Sequence, residues 1–258
     1  MANTNVAKKP QAKLPSLSLD MIESDASNGL ENITSDDQAI PRLKILMQLS
    51  PELDELRDEG AKPGDIYNTV TEEWYDGTKG LRVLPSAYKR QYVEWADRGQ
   101  GSGAPINVYD ASSDILTKTT RDENNKDRLE NGNYIETCGD HYVVIIPNGH
   151  SSEAIITMKA TQLKKSRKWN SMLLNLKIKN SKGVSFTPPS YSHYYLLKTS
   201  KEGNDKGSWY GWEISREKMV DNIDHYNTAK FYSERINKGE INVKYEEESA
   251  KDDQKVPF

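Results

Sequence analysis

The tetrapeptide CGDH at 138–141 sets a thiol and an imidazole three residues apart, the spacing of half a zinc site. A closed site needs two further ligands. Cys138 is the single cysteine, and the remaining histidines, His150, His193 and His225, are scattered, so no second half presents itself. GQGSG at 99–103 lacks the strand, the following helix and the Lys-Ser/Thr of a phosphate loop. Ser151 and Ser152 in NGHSSE do not form a nucleophile elbow. Glu72 with Glu73, and Asp36 with Asp37, are adjacent rather than arranged around a metal. These motifs point away from an enzyme, a cofactor and a bound metal, and leave a magnesium-dependent nuclease only as a minor alternative.

The strongest compositional signal lies elsewhere. Residues 154–201 hold no Asp or Glu and ten basic residues: Lys159, Lys164, Lys165, Arg167, Lys168, Lys177, Lys179, Lys182, Lys198 and Lys201. At the chain's average of 39 acids in 258 residues, about seven would fall in such a window. Trp169, Phe186, Tyr191, Tyr194 and Tyr195 are interleaved with the cations. A bare polynucleotide needs both types, because cations track phosphates while rings stack unpaired bases at about 1–3 kcal/mol each, with little regard to sequence. Five engaged cations would give a salt slope of about −3.5 on a single strand.

Two further stretches carry the same chemistry. In AYKRQYVEWADR, Tyr88, Arg90, Tyr92 and Glu94 alternate with Lys89, Gln91, Val93 and Trp95. In SWYGWEI, Trp209 shares a face with Gly211, and Tyr210 shares the other with Trp212. Tyr194 and Tyr195 must likewise face opposite ways, so one can be core while the other is exposed. The competing readings are ordinary ones: a lysine-rich helix face is usually just solvated, and Trp169 lies on an apolar stripe that fits a core as well as a base platform.

Strands must position these residues. Apolar and aromatic runs at 66–70, 81–95, 142–146, 154–158, 192–198 and 209–214, separated by Gly, Pro, Asn and Asp, read as strands. Between them, Leu163, Trp169, Met172, Leu173 and Leu176 recur at mostly helical steps within 161–178. A second helix is expected after Ser215 as N-cap, through Met219, Val220, Ile223, Tyr226, Ala229 and Ile236, with Gly239 at its C-terminal cap. Residues 99–105 and 121–133 read as long loops. The expected class is mainly β with inserted helices (α+β): an OB-like antiparallel β-barrel with elaborated loops and flexible tails. A β-sandwich is the alternative.

Composition divides the chain. With 35% hydrophobic and 29% charged residues it fits one globular domain with tails. Residues 1–40 carry three lysines against six acids, as do residues 240–258, so the middle is net +2 although the whole is −4. The expected organisation is a flexible segment over 1–39, a nucleic-acid-binding domain over 40–239 and a flexible acidic tail over 240–258. No run approaches the roughly 18 apolar residues of a membrane span. The absence of an apolar leader and the lone cysteine fit a reducing cytoplasm. The tail, with Glu246, Glu247, Glu248, Asp252 and Asp253, can compete with a polyanion for a basic groove, and Pro257 and Phe258 offer an anchor for a partner's apolar pocket.

That acidic stretch closing on Pro257 and Phe258 resembles the C-terminal peptide of bacterial single-stranded DNA-binding proteins, and of replication proteins of the same kind in some podophages. Lys251 and Lys255 depart from the bacterial pattern and weaken the electrostatic match. In the body, IPRLKILMQLSPEL, KPGDIYNTVT, TQLKKSRKWNSML and NDKGSWYGWEI resemble bacteriophage proteins described as single-stranded DNA-binding, over about residues 40–215. The resemblance implies an OB-type fold, coating of single strands during phage replication and recombination, and recruitment of a polymerase, helicase or primase through Asp252, Asp253, Pro257 and Phe258. A homo-oligomer is compatible with it. The alternative function is an adaptor that acts mainly through protein contacts.

Overall fold

The computed structural model describes residues 18–34, 37–97, 99–100, 103–205 and 207–241. Met1–Gln38 form one unit and Ala39–Phe258 another. In the first, Ser18 caps a short helix, α1 (Leu19–Ser24), by accepting from the Met21 N–H at 3.3 Å. Leu19, Met21 and Ile22 of this helix are exposed.

The second unit begins with a small antiparallel sheet of β1 (Leu43–Ile45), β2 (Ile66–Asn68) and β3 (Trp74–Tyr75), in that order. Between β1 and β2 runs α2 (Pro51–Leu56), which opens on a proline where the helix has no use for an N–H. The remaining elements are β4 (Leu81–Trp95), β5 (Asn107–Asp110), β6 (Thr120–Arg121), β7 (Asp127–Arg128), β8 (Tyr134–Ile145) and β9 (Ser152–Lys159). Then come α3 (Leu163–Leu174), β10 (Ile178–Lys179), β11 (Ser185–Phe186), β12 (His193–Asn204), β13 (Gly207–Met219) and α4 (Ile223–Asn237). Eight strands form one antiparallel sheet, β13-β12-β4-β8-β7-β6, with β5 paired to β4 and β9 to β8. The sheet curls into a half-barrel, so the chain is mainly β with a few helices.

The curl begins at Pro85. Its ring leaves no N–H to continue a ladder, and a proline inside a sheet is tolerated at a bulge. The β4–β8 register shifts between Pro85 and Ala87. Before the bulge β4 pairs with β12, from Leu81 to Val83; beyond it, from Gln91 to Glu94, β4 pairs with β5. One strand thus serves two neighbours in succession.

Both faces of the curled sheet are covered. Inside, Val83, Val143, Ile145, Ile156, Met158, Leu197 and Trp212 pack with Leu43, Ile45 and Ile66 of the small sheet and with Trp169 of α3. Outside, Leu84, Tyr142, Val144 and Ile155 pack against Ala229, Tyr232 and Ile236 of α4. Two expectations are corrected by this. Tyr194 and Tyr195 do face opposite ways, yet both are buried, because α4 seals the side that was expected to be open. Trp169 is core and has no free ring face: it stacks on His141 at 4.5 Å with Tyr195 at 5.8 Å.

The helix α3 sits close because of one glycine. A Cβ at Gly139 would come within 2.8 Å of Ser166 Oγ, which lies 2.8 Å from His141 Nε2. At the other rim, the Gln162 side-chain carbonyl accepts from the Trp212 N–H of the edge strand β13 at 3.0 Å, which covers an otherwise open edge.

Three further expectations change. Ser215 is not an N-cap, for β13 continues to Met219, paired with β12 across a register shift between His193 and Tyr195; the cap of α4 is Asn222, which accepts from the N–H groups of Asp224 and His225. Residues 121–133 are not one loop but include Arg121 of β6 and all of β7, which pair as a hairpin. The segment 178–186 carries a second hairpin, β10–β11, where no strand was expected.

Because Trp169 is a core residue, Trp169→Ala is expected to lower unfolding free energy by about 3–5 kcal/mol in urea titrations. A loss below about 1 kcal/mol would mean that the ring is not packed as described.

Candidate nucleic-acid interface

The alternation read in β4 holds beyond the bulge. Tyr88, Arg90 and Tyr92 project on the same side as His141, Gly139 and Thr137, their partners in β8. Arg90 is exposed, and hydrogen bonds to the side chains of Tyr88 and Tyr92 raise its pKa above the ordinary value. The first turn of α3 faces this row. Together Tyr88, Arg90, Tyr92, Leu116 and Thr137 line a cleft of about 140 Å³ with Leu163, Ser166 and Arg167. Two stretches distant in sequence, AYKRQY and LKKSRKW, therefore meet across one cleft.

From the cleft, cations continue along α3. Ser166 and Trp169 are its buried positions, and Lys164, Arg167 and Lys168 stand exposed on the opposite side, at the three- and four-residue spacing of one helix face. Among the described residues no carboxylate pairs with these three. On the other flank of α3, Met172, Asn175 and Leu176 line a second cleft of about 350 Å³ with Arg216 of β13. The helix is a ridge about 18 Å long, at about 1.5 Å per residue, with a cleft on each flank and cations between them.

Other residues singled out in the sequence lie elsewhere. Lys165 is paired with Glu202 at 2.5 Å, and Lys159 with Glu136 at 3.4 Å. Both acids lie outside the acid-free window and reach it only through the fold. Lys177 and Lys179 belong to the β10–β11 hairpin, where Lys177 Nζ donates to Thr187 Oγ1. Lys89 projects to the outer face, 5.8 Å from the Tyr142 ring. Trp95 is half-buried opposite Tyr134. Trp209 is half-buried and donates to Glu202 at 3.2 Å, Tyr210 packs over Gly64 at the core's edge, and Trp212 is buried. Tyr191 meets Tyr226 edge-on at 5.1 Å on the α4 side, remote from the ridge. Tyr92 is 7% exposed and packs with Ile115 and Ile135, so it offers no free ring face. Asp252, Asp253, Pro257 and Phe258 lie outside the described residues.

Sequence reasoning missed Thr137, Ser166, Leu116 and Arg216. For Ser166 a signal existed: a small polar residue on the buried side of a helix must find a partner, and here it is His141. Cys138 and His141, three apart on β8, face opposite sides and cannot share a ligand. Among the described residues, no cluster of three His, Cys, Asp or Glu could hold a metal ion, and no helix is long and apolar enough to cross a membrane.

Two buried ionisable groups fix the charge of the surroundings. Burial pushes the His141 imidazole down to about 3, so it is neutral at ordinary pH and adds nothing to the cationic field. Glu94 is 3% exposed. Burial raises its pKa, but donors from Asn107, Tyr109, Asn133 and Asn131 outweigh that and hold it at about 2. This carboxylate pins the segments around β5 and 131–133 to the end of β4.

The chain belongs to the Pam3 phage gp34-like protein family, whose pattern it matches over residues 8–242. It matches no curated protein and no solved structure.

The His141 environment makes a pH prediction. The folded imidazole refuses a proton that the unfolded chain accepts below its ordinary value of 6.5, so its contribution is complete above that pH and is lost as pH falls toward 3. Stability should drop by about 2 kcal/mol between pH 7 and pH 5 from this group. His193, lowered by burial and by Arg216, adds in the same direction. Urea titrations at the two pH values should show the drop, and His141→Gln should remove most of it; a drop of full size in the variant would assign it to other groups.

Proposed function

We propose that the protein binds single-stranded DNA without sequence preference, as a binding protein rather than an enzyme, and holds the strand across the α3 ridge. The observation that carries this reading is the cationic row Lys164, Arg167 and Lys168, which no carboxylate among the described residues pairs, bounded by clefts that contain Arg90 with Tyr88 on one flank and Arg216 on the other. Ridge cations suit phosphates, and the Tyr88 ring at the cleft suits an unpaired base. A duplex is a poorer fit, since the clefts are too small for its grooved cylinder and suit single splayed-out nucleotides. Membership of a phage family makes phage DNA during replication or recombination the natural polymer.

The fold reading goes with it. Strands β4, β8 and β9 form a meander, α3 follows, and β12 returns beside β4 with β13 outside it. We read this path as an OB-like barrel, partly open, with α3 closing the gap between β9 and β13. OB-type proteins use the face of their second and third strands for oligonucleotides. Here the corresponding outer face of β8 and β9 is covered by α4 at Tyr142 and Ile155, and its Lys159 is paired with Glu136. That favours the α3 side.

The test is anisotropy of labelled oligothymidine over a salt series. Replacing Lys164, Arg167 and Lys168 together by Ala should reduce the magnitude of the salt slope by about 2, at about 0.7 per phosphate contact. All three are exposed, so the urea midpoint should hold. An unchanged slope would remove the ridge from the interface, and absence of binding by the unaltered chain at low salt would end the proposal.

A further inference from the structure

The hairpin β10–β11 follows α3 directly and belongs to neither larger sheet. Its tip is well defined: Asn180 Oδ1 accepts from the N–H groups of Lys182 and Val184 at 2.9 and 3.0 Å, and Gly183 supplies φ +77°. The register places Ile178 opposite Phe186 on one face and Lys179 opposite Ser185 on the other. Val184, two residues before Phe186, shares the apolar face. Val184 and Phe186 are 58% and 42% exposed, and Leu174 at the end of α3 is 72% exposed. Lys177, Lys179 and Lys182 are exposed as well, and the hairpin contains no acid. An isolated two-stranded ribbon is marginal in water, and exposed apolar residues on such an element mark something that covers them.

We infer that this hairpin is a clamp arm that closes over a single DNA strand lying on the α3 ridge, with Phe186 stacking on an unpaired base and Lys179 and Lys182 on the flanking phosphates. The inference rests on the reading of α3 as the DNA-binding ridge. Three features select nucleic acid over a protein occupant. The arm's only charges are positive, matching a polyanion. It leaves α3 beside the Arg216 cleft, so a strand crossing the ridge passes its base. Its apolar face carries an aromatic ring, and base stacking on a ring tolerates any sequence.

Oligothymidine anisotropy over a salt series separates the arm from the ridge. Phe186→Ala should weaken binding roughly five- to hundredfold, the equivalent of one stacked base, with an unaltered salt slope. Replacing Lys179 and Lys182 by Ala should reduce the slope magnitude by about 1.4. Because Phe186 and both lysines are exposed, circular dichroism and the urea midpoint should match the unaltered chain. If both arm variants bind like the unaltered chain while the ridge variant loses slope, the arm inference falls and the ridge stands. If the unaltered chain fails to bind, both fall. If Phe186→Ala changes the sedimenting mass but not DNA affinity, the arm joins copies of the chain and the clamp is wrong.

Discussion

The bend in β4 at Pro85 is the constraint on which the rest of the molecule depends. The bulge between Pro85 and Ala87 bends the fifteen-residue strand, which pairs with β12 before it and with β5 beyond it, and the sheet curls. The curl makes an interior, and the interior is filled by Trp169 and its neighbours rather than left as a groove. Past the bulge the strand carries Tyr88 and Arg90 to where α3 can face them, while Tyr92 packs into a smaller core with Ile115 and Ile135.

The position of α3 follows from small residues. Gly139 leaves room for Ser166, Ser166 satisfies His141, and His141 stacks on Trp169, so the helix has one rotational setting. In that setting its apolar stripe is inside and its cations are outside. Charge is thereby concentrated on a ridge by packing alone. Lys165 shows the limit of this logic: it projects sideways to Glu202 and is neutralised there.

Much of the fold was legible in the sequence and the site was legible in part. The bounds of β4 and the presence of α3 follow from alternation and helical spacing, which are local signals. The cleft's pairing of Tyr88 and Arg90 with Arg167 was not readable, because it joins segments nearly eighty residues apart through the curl. Composition was also silent locally: the window holds no acid of its own, yet Glu136 and Glu202 reach in across strands to two of its ten cations. For Tyr194 and Tyr195, strand parity was right about opposite faces but silent on α4, whose packing seals the second face. Ser215 looked like a cap because Met219, Val220 and Ile223 have helical spacing, yet cross-strand pairing with β12 holds the chain extended to Met219.

The most direct test of the account is photocrosslinking of an iododeoxyuridine-substituted single strand to the full chain, with the adducts located by peptide mass. The account places adducts on Tyr88 and within β10–β11, on the two sides of α3. Adducts confined to the outer face around Trp95 and Tyr134, or none under conditions where an established single-strand binder crosslinks, would contradict it.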